Sequence, residues 1–211
     1  MDPSLLITDV DNTIADPSER MRRSLRETGR EEVFEKTADR YGGFSDFLST
    51  DEEKRLWEVF LSDRFLHLDE PVPGAAESLS RMVEDGLEVA YLTGRHDEEG
   101  DTMRPGTEAW LLEHGFPPPG ERGVRLFMKP EREMDDKGFK LDFLEREFSP
   151  RSGRVVGVGD HPHDALAYSR AGIEPVMLDL KGFFSEEELK SVSESVVVVE
   201  SWSKVVERLG V

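Results

Sequence analysis

Two carboxylates stand one residue apart in Asp9-Val10-Asp11-Asn12-Thr13, directly after the short apolar run Leu5-Leu6-Ile7. Three further runs end in chemically capable residues. Leu87 to Leu92 leads into Thr93-Gly94-Arg95, and Val124 to Met128 into Lys129. Arg154 to Val158 leads into Gly159-Asp160, with Asp164 four residues further on. Carboxylates bind hard cations and Lys or Arg meets anions. A calcium loop starting at Asp9 needs Gly at its sixth position and Glu at its twelfth. Those positions hold Ile14 and Arg20, so that chemistry is excluded. Gly157-Val158-Gly159 falls short of a dinucleotide loop, because Pro162 stands where the third glycine belongs. No Gly-rich segment ending in Lys-Ser or Lys-Thr is present, which counts against a P-loop nucleotidase. A solvated turn stays open for Asp9 to Thr13, as does a plain strand-to-loop turn for Thr93 to Arg95.

Positioning these residues requires strands. Short continuous apolar runs read as buried strands, and the spacing predicts them at 5–7, 87–92, 124–128, 154–158, 175–178 and 196–199. Helices are predicted at 75–85, 107–114, 137–148, from Pro162 towards Gly172, and at 202–209. This alternation predicts an α/β fold: a mostly parallel sheet with helices on both faces. Ligands of such sheets bind outside the carboxyl ends of the strands, so Asp9, Asp11, Thr93, Arg95, Lys129, Asp160 and Asp164 are expected at one edge.

Residues 14–71 read differently, as helices and loops without a strand. Asp16-Pro17-Ser18-Glu19 and Thr50-Asp51-Glu52-Glu53 resemble capping boxes, as does Ser185 to Glu188, and another helix is expected at 31–40. Leu56, Trp57, Phe60 and Leu61 follow at helical spacing, with Trp57 and Phe60 expected inside the segment's own core. Residues 16–72 are therefore read as an inserted helical cap, dividing the core into residues 1–15 and 73–211. Arg20, Arg22, Arg23 and Arg26 lie on its first helix, facing either the site or surface glutamates. His161 and His163 read as loop polarity at a helix start.

The 211 residues include 27 Lys and Arg against 46 Asp and Glu, a formal net charge of −19. That balance opposes general affinity for nucleic acid, which needs cations to displace counterions from phosphates. There is no cysteine, so disulfides, thiolate catalysis and cysteine-bound zinc are excluded. No basic, apolar leader opens the chain and no apolar run approaches membrane-spanning length. A soluble cytoplasmic protein is expected.

Taken together, the motifs resemble those of the haloacid dehalogenase superfamily. Asp9-Val10-Asp11-Asn12-Thr13 resembles its first motif and Leu92-Thr93-Gly94-Arg95 its second. Gly157-Val158-Gly159-Asp160 with Asp164 resembles its fourth. The set spans roughly residues 5–178, and the helical segment falls where that family inserts a cap. The resemblance implies a Rossmann-like core and a phosphomonoester hydrolase working through an aspartyl-phosphate. Asp9 would be the nucleophile, Asp11 the general acid and base, and Thr93 a hydrogen-bond donor to the phosphoryl group. Mg²⁺ would be held by Asp9, the carbonyl of Asp11, Asp160 and Asp164. Gly94, Arg95 and Lys129 would meet the substrate. The carboxylate at position 11 resembles the phosphatase and mutase branches. The third-motif cation is open among Lys140, Lys129 and Lys137. Phe139-Lys140 at a helix start resembles the acid-phosphatase and polynucleotide-3′-phosphatase-like members, which favours Lys140. The implied partner is a small phosphorylated substrate, with nucleic-acid ends also open. The rival readings are a phosphomutase and a non-catalytic metal-binding scaffold.

Overall fold

The computed structural model describes residues 3–37, 42–148, 153–185, 187–188 and 196–210. Strand β1 (Pro3–Thr8) and the two-residue β2 (Ala15–Asp16) lead into helices α1 (Ser18–Glu27), α2 (Glu32–Thr37) and α3 (Thr50–Phe60). A 3-10 turn at Asp63–Leu68 then leads to β3 (Glu70–Pro71). Beyond it run α4 (Ala75–Glu84), β4 (Glu88–His96), α5 (Met103–Glu113), β5 (Val124–Lys129) and α6 (Asp136–Glu147). The chain continues through β6 (Arg154–Gly159), α7 (Pro162–Arg170), β7 (Glu174–Leu178), β8 (Val197–Val199) and α8 (Trp202–Leu209).

Six strands form one parallel sheet in the order β5-β4-β1-β6-β7-β8. The chain adds strands on one side of β1 and then returns to add them on the other. The carboxyl ends of β4, β1 and β6 therefore flank a topological switch point. Successive strand residues face opposite sides of a sheet. Leu6, Val89, Tyr91, Val156 and Val158 pack on one face with Leu79 and Met82 of α4, Trp110 of α5 and Trp202 of α8. Leu5, Ile7, Ala90 and Leu92 pack on the other with Leu144 of α6 and Tyr168 of α7. Because both faces are covered, these strands read as unbroken apolar runs.

Helix α7 lies very close to the sheet. A Cβ built on Gly157 would fall 2.4 to 2.6 Å from ring atoms of Tyr168, which is itself buried. Gly157→Ala is expected to cost about 1–3 kcal/mol. Urea unfolding checks this, and an unchanged midpoint would contradict such close packing.

The inserted segment hangs between β2 and β3, whose antiparallel pairing is Ala15↔Pro71 and Asp16↔Glu70. No strand was expected at 14–71, because two residues leave no periodicity to read. The segment has an apolar centre of its own in Leu25, Val33, Leu48 and Leu56. Its helix starts also differ from expectation. Ser49 caps α3, accepting from Glu52 N at 3.4 Å while the Glu52 carboxylate accepts from Ser49 N at 2.8 Å. At α1 the expected box is absent: Pro17 is the cap residue and Asp16 accepts from Ser18 N at 3.0 Å. The helix expected over 31–40 is seen at Glu32–Thr37, and positions 38–40 lie outside the described residues. Ser185 and Glu188 make their reciprocal pair, with Glu186 outside the described residues.

Strand β4 runs four residues beyond its expected end at Leu92, with a register shift between Thr93 and His96. The extension carries buried polar side chains that have partners. His96 Nε2 lies 2.9 Å from the carbonyl of Leu61, and Arg95 joins the charge cluster described below. Among the described residues, no helix is long and apolar enough to cross a membrane.

Candidate active site

Asp9 immediately follows β1, and its N–H donates to the carbonyl of Val158 at 2.9 Å, which fixes its backbone against β6. Asp160 follows β6. Asp164 sits in the first turn of α7, where its carboxylate accepts from His161 N at 3.3 Å. His161 Nδ1 accepts from His163 N at 3.1 Å, so His161 serves as the helix cap. Asp9, Asp160 and Asp164 are all buried, and each offers an oxygen within 4.8 Å of the others. Lys140 of α6 reaches into this group, with Nζ 2.7 Å from Asp164 Oδ1 and 3.0 Å from Asp9 Oδ2. Thr13 Oγ1 donates to Asp160 at 3.4 Å.

Three buried carboxylates thus share one lysine. Burial pushes Asp9 up to about 7 against the pull of Lys140, and pushes Asp160 well above the ordinary carboxylate range. At Asp164 burial acts the same way, but Lys140 prevails and holds the carboxyl low. Asp9 Oδ1 and Asp160 Oδ2 are buried without a hydrogen-bond partner among the described residues. Orphaned hard oxygens and uncompensated negative charge are what a divalent cation binds. The residues present therefore fit such an ion.

Asp11 points elsewhere. Its carboxylate pairs with Arg20 of α1, and with Arg95 at 2.7 and 3.1 Å. Both guanidiniums also reach Asp69, Arg20 at 2.9 Å and Arg95 at 2.8 Å. Arg95 donates to Thr107 Oγ1 at 3.3 Å, and Arg20 lies 4.1 Å over the Phe60 ring. Arg20, Arg95 and Asp69 are completely enclosed. Burial alone would raise the Asp11 carboxyl, but Arg20 and Arg95 prevail and hold it well below the usual carboxylate range. Asp69, enclosed on all sides, is pushed up to about 6 by burial despite the same two partners. Sequence reasoning missed Asp69, a single acid in an acid-rich stretch with no motif around it.

No family model matches the chain. Over 70 residues it is 31% identical to “Putative nucleotidase” of Bacillus cereus, a stretch covering 33% of this chain and 35% of that protein. Solved structures match over nearly the whole chain. “Putative Phosphatase from Clostridium difficile” superposes with TM-score 0.69 at 17% identity, covering 99% of both chains. Protein Tyrosine Kinase A of Mycobacterium tuberculosis gives 0.72 at 19%, covering 100% of this chain and 99% of that one. A haloacid dehalogenase-like family hydrolase from Streptococcus pneumoniae gives 0.68 at 14%, covering 98% of both. The fold is haloacid dehalogenase-like.

Within this haloacid dehalogenase-like fold, the remaining residues singled out from the sequence divide into two groups. Thr93 and Gly94 line a cavity of about 860 Å³ together with Asp9, Asp11, Lys140 and Asp164. Arg95 and Lys129, expected to meet substrate, do not line it. Arg95 is enclosed behind Asp11, and Lys129 is buried with Nζ on the carbonyls of Arg132 and Met134 at 3.0 Å and on Asp136 at 2.7 Å. Lys137 is exposed on the surface of α6. On α1, Arg20 alone of the four arginines is enclosed, while Arg22 borders the cavity. Arg22 pairs with Glu35 at 2.9 Å, Arg23 with Glu27 at 3.2 Å, and Arg26 with Glu31. Phe60 is buried as expected, but Trp57 is not core: it is 36% exposed and lines the cavity.

Proposed function

We propose that the chain is a Mg²⁺-dependent phosphomonoester hydrolase with Asp9 as nucleophile and residues 16–72 as its cap. The observation that carries this reading is the Asp9 carboxylate itself. It is buried, has one orphaned oxygen, lies 3.0 Å from Lys140, and borders a cavity large enough for an organic phosphate. Asp9, Asp160 and Asp164, with the carbonyl of Asp11, would hold the ion. When bound, the ion neutralises charge between the carboxylate and the phosphoryl oxygens.

An Asp9 oxygen attacks phosphorus, the bond to the leaving oxygen breaks, and an aspartyl-phosphate forms. Water then attacks that phosphorus and frees Asp9. Lys140 stabilises charge on the nucleophile and on the transferring group. Thr93 and Gly94 border the phosphoryl position. Asp11, held ionised by Arg20 and Arg95, can take a proton from the attacking water. To give a proton to the leaving oxygen it must first part from both guanidiniums and take up a proton from water. The place of Lys140 on α6 after Phe139 supports the acid-phosphatase and polynucleotide-3′-phosphatase-like branch.

Phosphate release from an aryl phosphate, measured with Mg²⁺ and with EDTA, tests the activity. The ion has its own test in thermal unfolding. Saturating Mg²⁺, at about a hundred times its dissociation constant, should stabilise the wild type by about 2.7 kcal/mol. Asp160→Asn should abolish that shift. An equal shift in the variant would place the ion elsewhere.

A further inference from the structure

The aromatic lining of the cavity that Asp9 borders bears on which phosphomonoester this site accepts. Resting on the hydrolase reading above, we propose that the preferred substrate has a planar, ring-bearing leaving group with no second anionic group. A nucleoside monophosphate has this chemistry, and Trp57 is the residue that selects the ring.

Trp57 stands on the cavity side of α3, is 36% exposed, and donates its indole N–H to Glu53 at 3.5 Å. Its place is fixed: Phe44 and Phe60 stand edge-on to it at centroid distances of 6.0 and 5.6 Å. Phe34, Phe44 and Phe60 line the same cavity. A rigid, partly open aromatic wall takes a planar ring by stacking and tolerates different ring types.

Charge sets the second half of the preference. Among the described residues lining the cavity, the Lys and Arg side chains are Arg22, Lys140 and Lys181. Each already has a carboxylate. Lys140 serves Asp9 and Asp164, and Arg22 is 2.9 Å from Glu35. Lys181 is 3.8 Å from Asp16 and donates to Ser18 Oγ at 3.1 Å. Glu53 and Glu70 line the wall as well. A second phosphate or a carboxylate on the leaving group would enter a field of like charge. Hydroxyl and amino groups would find acceptors there.

The experiment compares kcat/KM in Mg²⁺ for a nucleoside 5′-monophosphate, ribose 5-phosphate, which removes the ring, and a nucleoside 3′,5′-bisphosphate, which adds an anionic group. The monophosphate should exceed each of the others by about tenfold or more. Trp57→Ala should raise KM for the monophosphate about tenfold while kcat stays within about twofold, leave ribose 5-phosphate unaffected, and be largely rescued by Trp57→Phe. Equal use of ribose 5-phosphate, preference for the bisphosphate, or an equal effect of Trp57→Ala on both monophosphates overturns the inference. p-Nitrophenyl phosphate separates the two levels of failure. If it is hydrolysed without any nucleotide preference, the hydrolase stands and this inference falls. If none of the four phosphates is hydrolysed, the hydrolase reading itself has failed. Thermal melts confirm that the exposed Trp57 variants stay folded.

Discussion

Asp9→Asn should yield a folded protein that releases phosphate from an aryl phosphate at least about 10³-fold more slowly than wild type. The amide nearly preserves the shape of the carboxylate while removing the nucleophilic oxygen. It also takes a charge out of a buried, carboxylate-rich centre, so unfolding should be little affected. A loss of this size beside an unchanged melting profile would mark Asp9 as a group that reacts. Residual activity within tenfold of wild type would remove Asp9 as nucleophile, and the aspartyl-phosphate with it. Lys140 is a poorer single test, because removing it leaves Asp9 and Asp164 without their common cation and disturbs fold and chemistry together.

A second large effect is expected on stability, from a side chain one contact removed from the proposed acid–base group. Arg20→Met strips a wholly buried guanidinium from Asp11 and Asp69 and leaves the enclosed Asp69 carboxylate with Arg95 alone. Breaking a buried pair from one side typically costs about 3–5 kcal/mol, since the remaining charge stays desolvated. Urea unfolding should show a loss in that range. Asp69→Asn in the Arg20→Met background should cost less than the two single changes added together, because each has already removed the other's partner. Arg22→Met, on the same helix but at the partly exposed cavity edge, should change stability by no more than about 0.5 kcal/mol. Equal costs for Arg20→Met and Arg22→Met would show that the inward cluster contributes nothing special.

The difference between these two arginines bears on what could be read in advance. The sheet was legible because Leu5-Leu6-Ile7 and Val155-Val156 are apolar on both sides, a pattern that only a doubly covered strand needs. The carboxylates at strand ends were legible because parallel topology sends every such end to one edge. Arg20 could not be told from Arg22, Arg23 and Arg26, since all four have the same composition around them. Arg20 is held inward by Asp11 and by Asp69, 49 positions away, and no local pattern carries a pairing over that separation. Lys129 and Lys140 both invited the role of active-site cation. The fold separates them, because the turn after β5 wraps the carbonyls of Arg132 and Met134 around Lys129. Trp57 sits at core spacing on its helix, so only the opening of the cavity beside it distinguishes a wall from a core. The pair β2 and β3 escaped because two residues leave no periodicity to read, and the extension of β4 because its buried side chains are polar and held by hydrogen bonds and ion pairs.

The short ribbon of β2 and β3 has one more consequence. Two residue pairs fix little of the angle between the helical segment and the sheet, so that angle depends on contacts elsewhere. Arg20 rides on the segment, whereas Asp11 and Arg95 belong to the sheet side. Asp69 on Arg95 and the Leu61 carbonyl on His96 share in fastening the segment with Arg20 on Asp11. Any tilt of the segment would have to part these contacts together, and with them Asp11 would lose one of its two guanidiniums.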